Sequence, residues 1–341
     1  MRVLLVGGAG YVGSHTAVAL AQSGHQTLIV DDFSNAHPSA TARISSIVGH
    51  AVPTLVADIR DEDRVSDFIT AEGPVDVVIH LAGLKSVSES IIDPLRYYDV
   101  NISSSISLLR IMNRHGIREL VFSSSATVYG TNDSVPHVEE AETGRGISNP
   151  YGKTKHMIEE ILRDVCASDP SFRCTALRYF NPVGAHPSGI IGEDPLGAPT
   201  NLMPVVAKVA SGRLDHVTVY GADYETPDGT GLRDYIHIQD LARGHVRAAE
   251  IGGTGFEAIN LGTGAPASVL EVINAFSSEA GIDIPVRIAE RRAGDVSVSY
   301  AAVEKAALLL GWRAALTLSD ACRDSWRWQQ SERIRSCEAR S

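Results

Sequence analysis

Short, mostly apolar runs punctuate the first half of the chain: Val3-Leu4-Leu5-Val6, Leu28-Ile29-Val30, Thr54–Ala57, Val75–Ala82, Glu119–Phe122 and Arg173–Phe180. Runs of this length without polar alternation read as strands covered on both faces. Between them the apolar positions take helical spacing. Ser14–Ser23 is closed by Gly24, Leu95–His115 by Gly116, and a further helix starts at Pro150 and continues through Arg163. Strand and helix therefore alternate, which predicts an α/β fold with an open parallel sheet and helices on both faces. The pattern changes near residue 180. Asn181–Leu202 and Gly221–Gly231 are rich in Gly, Pro, Asn, Asp and Thr and read as irregular segments able to wrap a ligand. A strand at Asp234–Ile238 and a helix at Gln239–Ile251 follow.

The turn after the first strand carries chemistry. Gly7-Gly8-Ala9-Gly10-Tyr11-Val12-Gly13 leads straight into a helix. Glycines at 7, 10 and 13 suit a tight turn, close approach of a pyrophosphate and close helix–strand packing. The helix N-terminus offers free N–H groups and positive potential to phosphates. The second strand ends at Asp31, placed to accept from ribose hydroxyls and to disfavour a 2′-phosphate, so NAD is expected in preference to NADP. The order strand, glycines, helix, strand, acid predicts a Rossmann-type doubly wound sheet. The expected division is an NAD-binding domain at 1–180 with a returning segment near 234–262, a smaller C-terminal, mainly substrate-binding domain at 181–330, and a disordered tail at 331–341. In such sheets ligands bind beyond the carboxyl ends of strands, where Asp58, Ala82-Gly83 and Ser125 also fall.

Tyr151 and Lys155 stand four residues apart on the helix that starts at Pro150, so phenol and ammonium share one face. A neighbouring cation favours the phenolate, so the pair is expected to lower the tyrosine pKa and move a proton on and off an alcohol. Beside a bound nicotinamide this is the equipment for reversible hydride transfer, with Ser125 as hydrogen-bonding assistant.

Composition narrows the picture. The 341 residues are 44% hydrophobic and 21% charged, an ordinary globular balance. A net charge of −11 argues against a general nucleic-acid or membrane-surface binder. The four cysteines, Cys166, Cys174, Cys322 and Cys337, have no paired or metal-ligand spacing and are expected to be reduced thiols in the cytoplasm. With a core strand at the start of the sequence no signal peptide is expected, and no apolar run approaches the ~20 residues that span a bilayer. Twelve histidines include no H-E-x-x-H or comparable cluster, so no metal site is expected.

Nearly the whole chain resembles the UDP-glucose 4-epimerases of the extended short-chain dehydrogenase/reductase family. The likeness rests on Gly7–Thr16, Ala82-Gly83-Leu84-Lys85, Ser123–Gly130, Arg178–His186 and Gly229–His237. It implies interconversion of UDP-galactose and UDP-glucose through a 4-keto sugar, with NAD retained and regenerated. It implies Tyr151 as base, Ser125 on the C4 oxygen and Lys155 on the nicotinamide ribose. It places Tyr11 and Val12 on the pyrophosphate turn and Asp31, Asp32, Phe33, Ser34 and Asn35 at the adenosine ribose. Asp58 and Ile59 go to the adenine, Leu81, Ala82, Gly83, Lys85, Asn101 and Ser123 to the cofactor path, and Phe180 to the nicotinamide. Asn181, Asn201, Leu202, Arg233, Arg292, Asp295 and Ser299 fall to the UDP-sugar. Two arginines on a diphosphate explain how an acidic protein holds an anion. The resemblance also implies a homodimer whose four-helix bundle uses helices near Leu95–His115 and Tyr151–Ala167.

Three departures stand out. Val6 replaces a Thr common in relatives, and only Asn101 remains of an Asn pair. Ser299 occupies a gate beside the sugar where a Tyr narrows the pocket. A small residue there implies that UDP-GlcNAc and UDP-GalNAc are also accepted. Plain structural readings stay open for some residues: Asp58 as a helix cap, Arg292 as a solvated charge, His186 and His237 as loop organisers, and Trp312, Trp326 and Trp328 as packing. Two rival functions make different demands on the chain. A nucleotide-sugar 4,6-dehydratase needs an Asp-Glu pair where this chain has Ala126-Thr127. A non-catalytic NAD-binding scaffold would not need the retained Ser125, Tyr151 and Lys155.

Overall fold

The computed structural model describes residues 1–132, 134–197, 201–292 and 295–338. Six strands, β1 (Arg2–Val6), β2 (Gln26–Asp31), β3 (Thr54–Val56), β4 (Val77–His80), β5 (Glu119–Ser123) and β6 (Arg173–Tyr179), join the strand Phe256–Leu261 in one sheet. From edge to edge the order is Phe256–Leu261, β6, β5, β4, β1, β2, β3, and each pairing is parallel. Six helices belong to this half: α1 (Tyr11–Gln22), α2 (Ala40–Val48), α3 (Glu62–Glu72), α4 (Val87–Ile92), α5 (Pro94–Arg114) and α6 (Pro150–Ser168).

The mostly apolar runs have the expected physical cause. Alternate side chains of each strand enter different cores. Val3, Leu5, Ile29, Ile79, Val121 and Leu177 pack with Ala17, Val18 and Leu20 of α1 and Leu241 of the helix Ile238–Ile251. Leu4, Val6, Leu28, Val30, Val78 and Phe122 pack with Ile69 of α3, Leu108 of α5 and Ile158 and Leu162 of α6. Period-2 geometry thus demands apolar residues at every position when both faces are covered. Val6 pairs with Val30 on one side and His80 on the other, so β1, β2 and β4 end level. The crevice between β1 and β4, where the strand order reverses, is the general ligand site of open α/β sheets.

After residue 181 the chain builds a third core around Val206, Val219, Val272, Phe276 and Cys322. Its scaffold includes helices Leu202–Ala210, Val269–Ala280 and Leu318–Glu338. The strands Ala267–Ser268, Leu232–Arg233 and Val298–Ser299 form a small sheet. The chain first returns to the main sheet with helix Ile238–Ile251 and strand Phe256–Leu261, which pairs with β6. The helix Leu318–Glu338 enters the segment expected as a tail, whose residues 339–341 lie outside the described ones. The stretch 181–202 is less irregular than its composition suggests, because Asn181–Val183 pairs with Tyr235–His237.

Candidate active site

A cleft of about 730 Å³ opens at the carboxyl ends of β1, β2 and β4. The glycines that begin it do different work. Gly7 has φ +84°, and a Cβ there would lie 2.5 Å from the Ala82 nitrogen. A Cβ on Gly13 would lie 2.2 Å from the Gly7 oxygen, so this glycine lets α1 sit on the turn. A Cβ on Gly10 would meet only the Gly7 oxygen, at 3.6 Å, and would otherwise project into the cleft. No side chain caps the first turn of α1, so its N–H groups face that space. A cradle that one methyl would fill, lined by free N–H groups, fits a dinucleotide pyrophosphate.

Asp31 closes β2 and is buried. Its Oδ2 accepts from the Ala9 N–H at 2.8 Å and its Oδ1 from the Phe33 N–H at 2.9 Å. Burial raises its pKa, and these backbone donors oppose the rise. The carboxylate therefore ties β2 to the glycine turn while retaining lone pairs for ribose hydroxyls. Asp32 accepts from the N–H and hydroxyl of Ser34, which folds the next loop. Phe33, at φ +57°, packs beside Ala9, Ala36 and Ala40 rather than lining the cleft.

Asp58 does not cap α3; Asp61 does. Asp58 lines the cleft and takes Nε and Nη2 of Arg60, and this guanidinium holds its carboxyl below the usual range. Asn101 stands behind the cleft. It accepts from the Leu84 N–H at 2.7 Å and donates to the Leu84 oxygen at 3.1 Å and to Thr154 Oγ1 at 3.0 Å. It thus braces the Gly83–Lys85 loop.

The residues expected to handle protons come from three elements. Asn149 caps α6 by accepting from the Gly152 N–H at 2.8 Å, which sets Tyr151 and Lys155 on the first turns. Both are buried and line the cleft with Ser123. Lys155 Nζ donates to the Ser123 carbonyl at 2.7 Å and stands 6.0 Å from the Tyr151 ring centre. Burial lowers the Lys155 pKa to about 8, with Glu159 opposing. Ser125 lies two residues beyond β5 and caps the short 3₁₀ turn Ala126–Tyr129. Its Oγ accepts from the Thr127 N–H at 3.2 Å and lies 3.0 Å from Thr127 Oγ1.

One expectation is corrected here. The Lys155 charge was expected to pull the Tyr151 pKa down, yet in this structure that pKa is raised, first by burial and then by the neighbouring Tyr179 phenol. A hydrogen bond from Ser125 is what favours the phenolate. Spacing in sequence establishes that two side chains are neighbours, but not how deep they lie.

Of the residues assigned to a sugar nucleotide, Asn201 lines this cleft, while Arg233, Ser299 and Asp295 meet one another in the C-terminal half. Arg233 and Ser299 are register partners on adjacent strands. Asp295 lies 3.9 Å from the Arg233 guanidinium. Asn181 donates its N–H to the Asp234 oxygen, next to Arg233. Arg292 is exposed and stacks over the Tyr220 ring at 3.9 Å. Asn201 precedes the helix that starts at Leu202 without capping it by a side-chain bond; it lines the cleft and donates to Glu193, which also receives Lys85. Phe180 packs with Tyr129. His237 caps its helix, His186 bonds Ser188 within a loop, and Trp312 and Trp328 are buried.

Several lining residues escaped the sequence reading. Tyr179 bonds Ser123 Oγ at 2.6 Å and faces the cleft. It adjoins Phe180 in a motif already singled out, so its position was a usable signal. Arg43 of α2 reaches Asp194 at 2.8 Å, and Glu193 joins Lys85 to Asn201. Nothing periodic marks these, because they meet across long separations.

Residues 3–262 match the model of the NAD dependent epimerase/dehydratase family. The UDP-glucose 4-epimerase of Bacillus subtilis (strain 168) is 49% identical over 97% of both chains. A crystal structure of the Bifidobacterium longum UDP-glucose 4-epimerase in complex with NAD+ and UDP superposes with a TM-score of 0.94 at 49% identity, covering 98% of this chain and 99% of the other. A Stenotrophomonas maltophila UDP-glucose-4-epimerase with bound NAD and formylated UDP-arabinopyranose superposes equally well, with a TM-score of 0.94, 48% identity and the same coverage. A family match across more than half of the chain, together with relatives aligned end to end, places this chain in the NAD dependent epimerase/dehydratase family, among the UDP-glucose 4-epimerases.

Proposed function

We infer that the protein is an NAD-dependent isomerase that interconverts UDP-galactose and UDP-glucose through a 4-keto sugar. The observation that carries this reading is that Tyr151 and Lys155 line a cleft that begins at the glycine cradle, with Ser125 hydrogen-bonded to Tyr151. Tyr151 takes the proton of the C4 hydroxyl and later returns one. Ser125 donates its one hydroxyl hydrogen to the Tyr151 oxygen, which favours the phenolate, and turns it to the sugar's C4 oxygen as the proton moves. Lys155, fixed by the Ser123 carbonyl, presents its remaining N–H donors to the nicotinamide ribose. NAD, when bound, supplies reversible hydride acceptance at C4, so the cycle has no net oxidation. Arg233 and Arg292 bind the diphosphate, with Asn181, Asn201, Leu202 and Asp295 completing the sugar-nucleotide site. The glycine turn, Asp31–Asn35, Asp58, Ile59 and Leu81–Lys85 hold the cofactor.

The small Ser299 beside Arg233 supports acceptance of UDP-GlcNAc and UDP-GalNAc as well. The 4,6-dehydratase alternative lacks its acids, since Ala126 and Thr127 build the 3₁₀ turn. Residues 1–180 with the returning segment form the NAD-binding domain and 181–330 mainly the substrate domain. Two copies pair through α5 and α6, a reading supported by the exposed Leu95 and Met157 on those helices. Among the described residues no helix is long and apolar enough to cross a membrane, and Cys166, Cys174 and Cys322 are buried free thiols. The buried free thiols support a cytoplasmic protein.

Incubation of the purified protein without added NAD, followed by proton NMR, tests the reading. Conversion of UDP-galactose is the expected result, and conversion of UDP-GalNAc is expected alongside it. Absence of both, even with NAD added, would overturn the reaction assignment. Conversion of UDP-galactose alone would remove only the Ser299 argument.

A further inference from the structure

One turn beyond Lys155 on α6, the carboxylate of Glu159 is fully buried, as is the guanidinium of Arg178 from β6. Arg178 Nε donates to Glu159 Oε1 at 3.0 Å and Nη2 to Oε2 at 2.6 Å, a two-pronged pair. Oε1 also accepts the Ser124 hydroxyl at 2.5 Å. Arg178 Nη1 continues to the Tyr129 hydroxyl at 3.2 Å and to the Glu139 carbonyl at 3.1 Å. The Tyr129 hydroxyl in turn donates to Asn260 Oδ1 at 2.7 Å.

These contacts bracket the proton-transfer residues. Ser124 precedes Ser125, and Tyr129 ends the turn that Ser125 caps. The carbonyl before Ser124 is the one that holds Lys155. We propose that the Arg178–Glu159 pair is a positioning element for the reaction: through Ser124 and Tyr129 it sets the Ser125 turn and the Ser123 carbonyl against α6. This rests on the epimerase reading above.

Two physical arguments support the assignment. A buried ion pair is an inefficient way to stabilise a core, because an apolar pair of similar volume often does as well. Geometry is what this pair adds, since it joins α6, β5 and β6 at one point by directional bonds. The pair also acts on charge. Glu159 opposes the effect of burial on Lys155 and so favours its ammonium. The other groups around the pair are Arg163, 3.5 Å from Glu159, and the Cys174 thiol on β6. His80 on β4 faces Lys155 and is kept neutral by burial.

Two variants test this on the NAD-loaded protein. Ser124→Ala cuts one link without leaving an unpaired charge. The double substitution Glu159→Leu with Arg178→Met replaces the pair by apolar side chains. Steady-state conversion of UDP-galactose, bound NAD and thermal midpoint are measured for each. A misplacement of about 1 Å can cost about a hundredfold in rate. The expectation is a fall in kcat of at least about fivefold for Ser124→Ala and about thirtyfold for the double variant, with KM within about twofold and NAD retained. A kcat within about twofold of the parent in either folded, NAD-retaining variant overturns the proposal. So does a loss of activity that merely tracks lost NAD. If the double variant does not fold, Ser124→Ala decides alone. Failure of the parent to convert UDP-galactose would overturn the epimerase reading instead, so the two failures are distinct.

Discussion

Replacing Lys155 by methionine should separate stability from activity. Lys155 is 6% exposed and its ammonium is held at a pKa of about 8, against an ordinary 10.5, because burial penalises its charged form. At about 1.36 kcal/mol per pH unit, that gap corresponds to about 3 kcal/mol. Below pH 8 both folded and unfolded chains carry the charge, so the full penalty weighs on the fold. Between about 8 and 10.5 the unfolded lysine binds more protons than the folded one, and stability from this group rises with pH. Methionine has no charge to desolvate, but it gives up the bond to the Ser123 carbonyl, worth about 1.5–3 kcal/mol for a charged donor. At neutral pH the two effects nearly cancel, so the NAD-free variant should lie within about 1 kcal/mol of the parent. From about pH 7 to pH 10 the parent should gain roughly 2–3 kcal/mol on the variant. Urea unfolding of both proteins at several pH values measures the difference, in which the other titrating groups largely cancel. Epimerase activity of the variant should meanwhile fall by at least about a hundredfold. A stability difference that stays flat with pH, or runs the other way, would refute the burial argument.

Three further outcomes follow from the same geometry. Tyr151→Phe should lower kcat by roughly 10²–10⁴ with NAD still bound, as expected for a lost acid–base group; single-turnover and steady-state rates check this. Gly10→Ala should fold normally and lose at least about tenfold in NAD affinity, whereas Gly13→Ala, whose Cβ meets the Gly7 oxygen at 2.2 Å, should lose roughly 2 kcal/mol or more of stability. Calorimetry with added NAD and thermal melts distinguish the two. Ser299→Tyr should preserve UDP-galactose conversion and reduce UDP-GalNAc conversion by at least about a hundredfold; equal loss on both sugars would remove the gate argument.

Some of this site was legible before any fold was known. The glycine spacing, Asp31 at the end of β2 and the Tyr151/Lys155 pair are local patterns. Each is tied to one turn or one helix, so a few neighbouring residues specify it. The covered parallel sheet was legible too, because period-2 strands with two buried faces leave unbroken apolar runs. Other readings could not be completed locally. Asp58 is claimed by Arg60, while Asn101 braces Leu84 rather than lining the cleft. Arg292 finds Tyr220, and Glu193 links Lys85 with Asn201.

The sequence by itself determined the class of fold and the dinucleotide signature, and it singled out Tyr151, Lys155 and Ser125 as candidates for proton transfer. Only the tertiary structure decided how those residues behave. Burial raises Tyr151, lowers Lys155, and leaves Ser125 as the group favouring the phenolate. It also brought Arg178 of β6 to Glu159 of α6 beneath them. The reason is physical: a pKa depends on the solvent and charge that surround a group, and that surrounding is assembled from distant segments only when the chain packs.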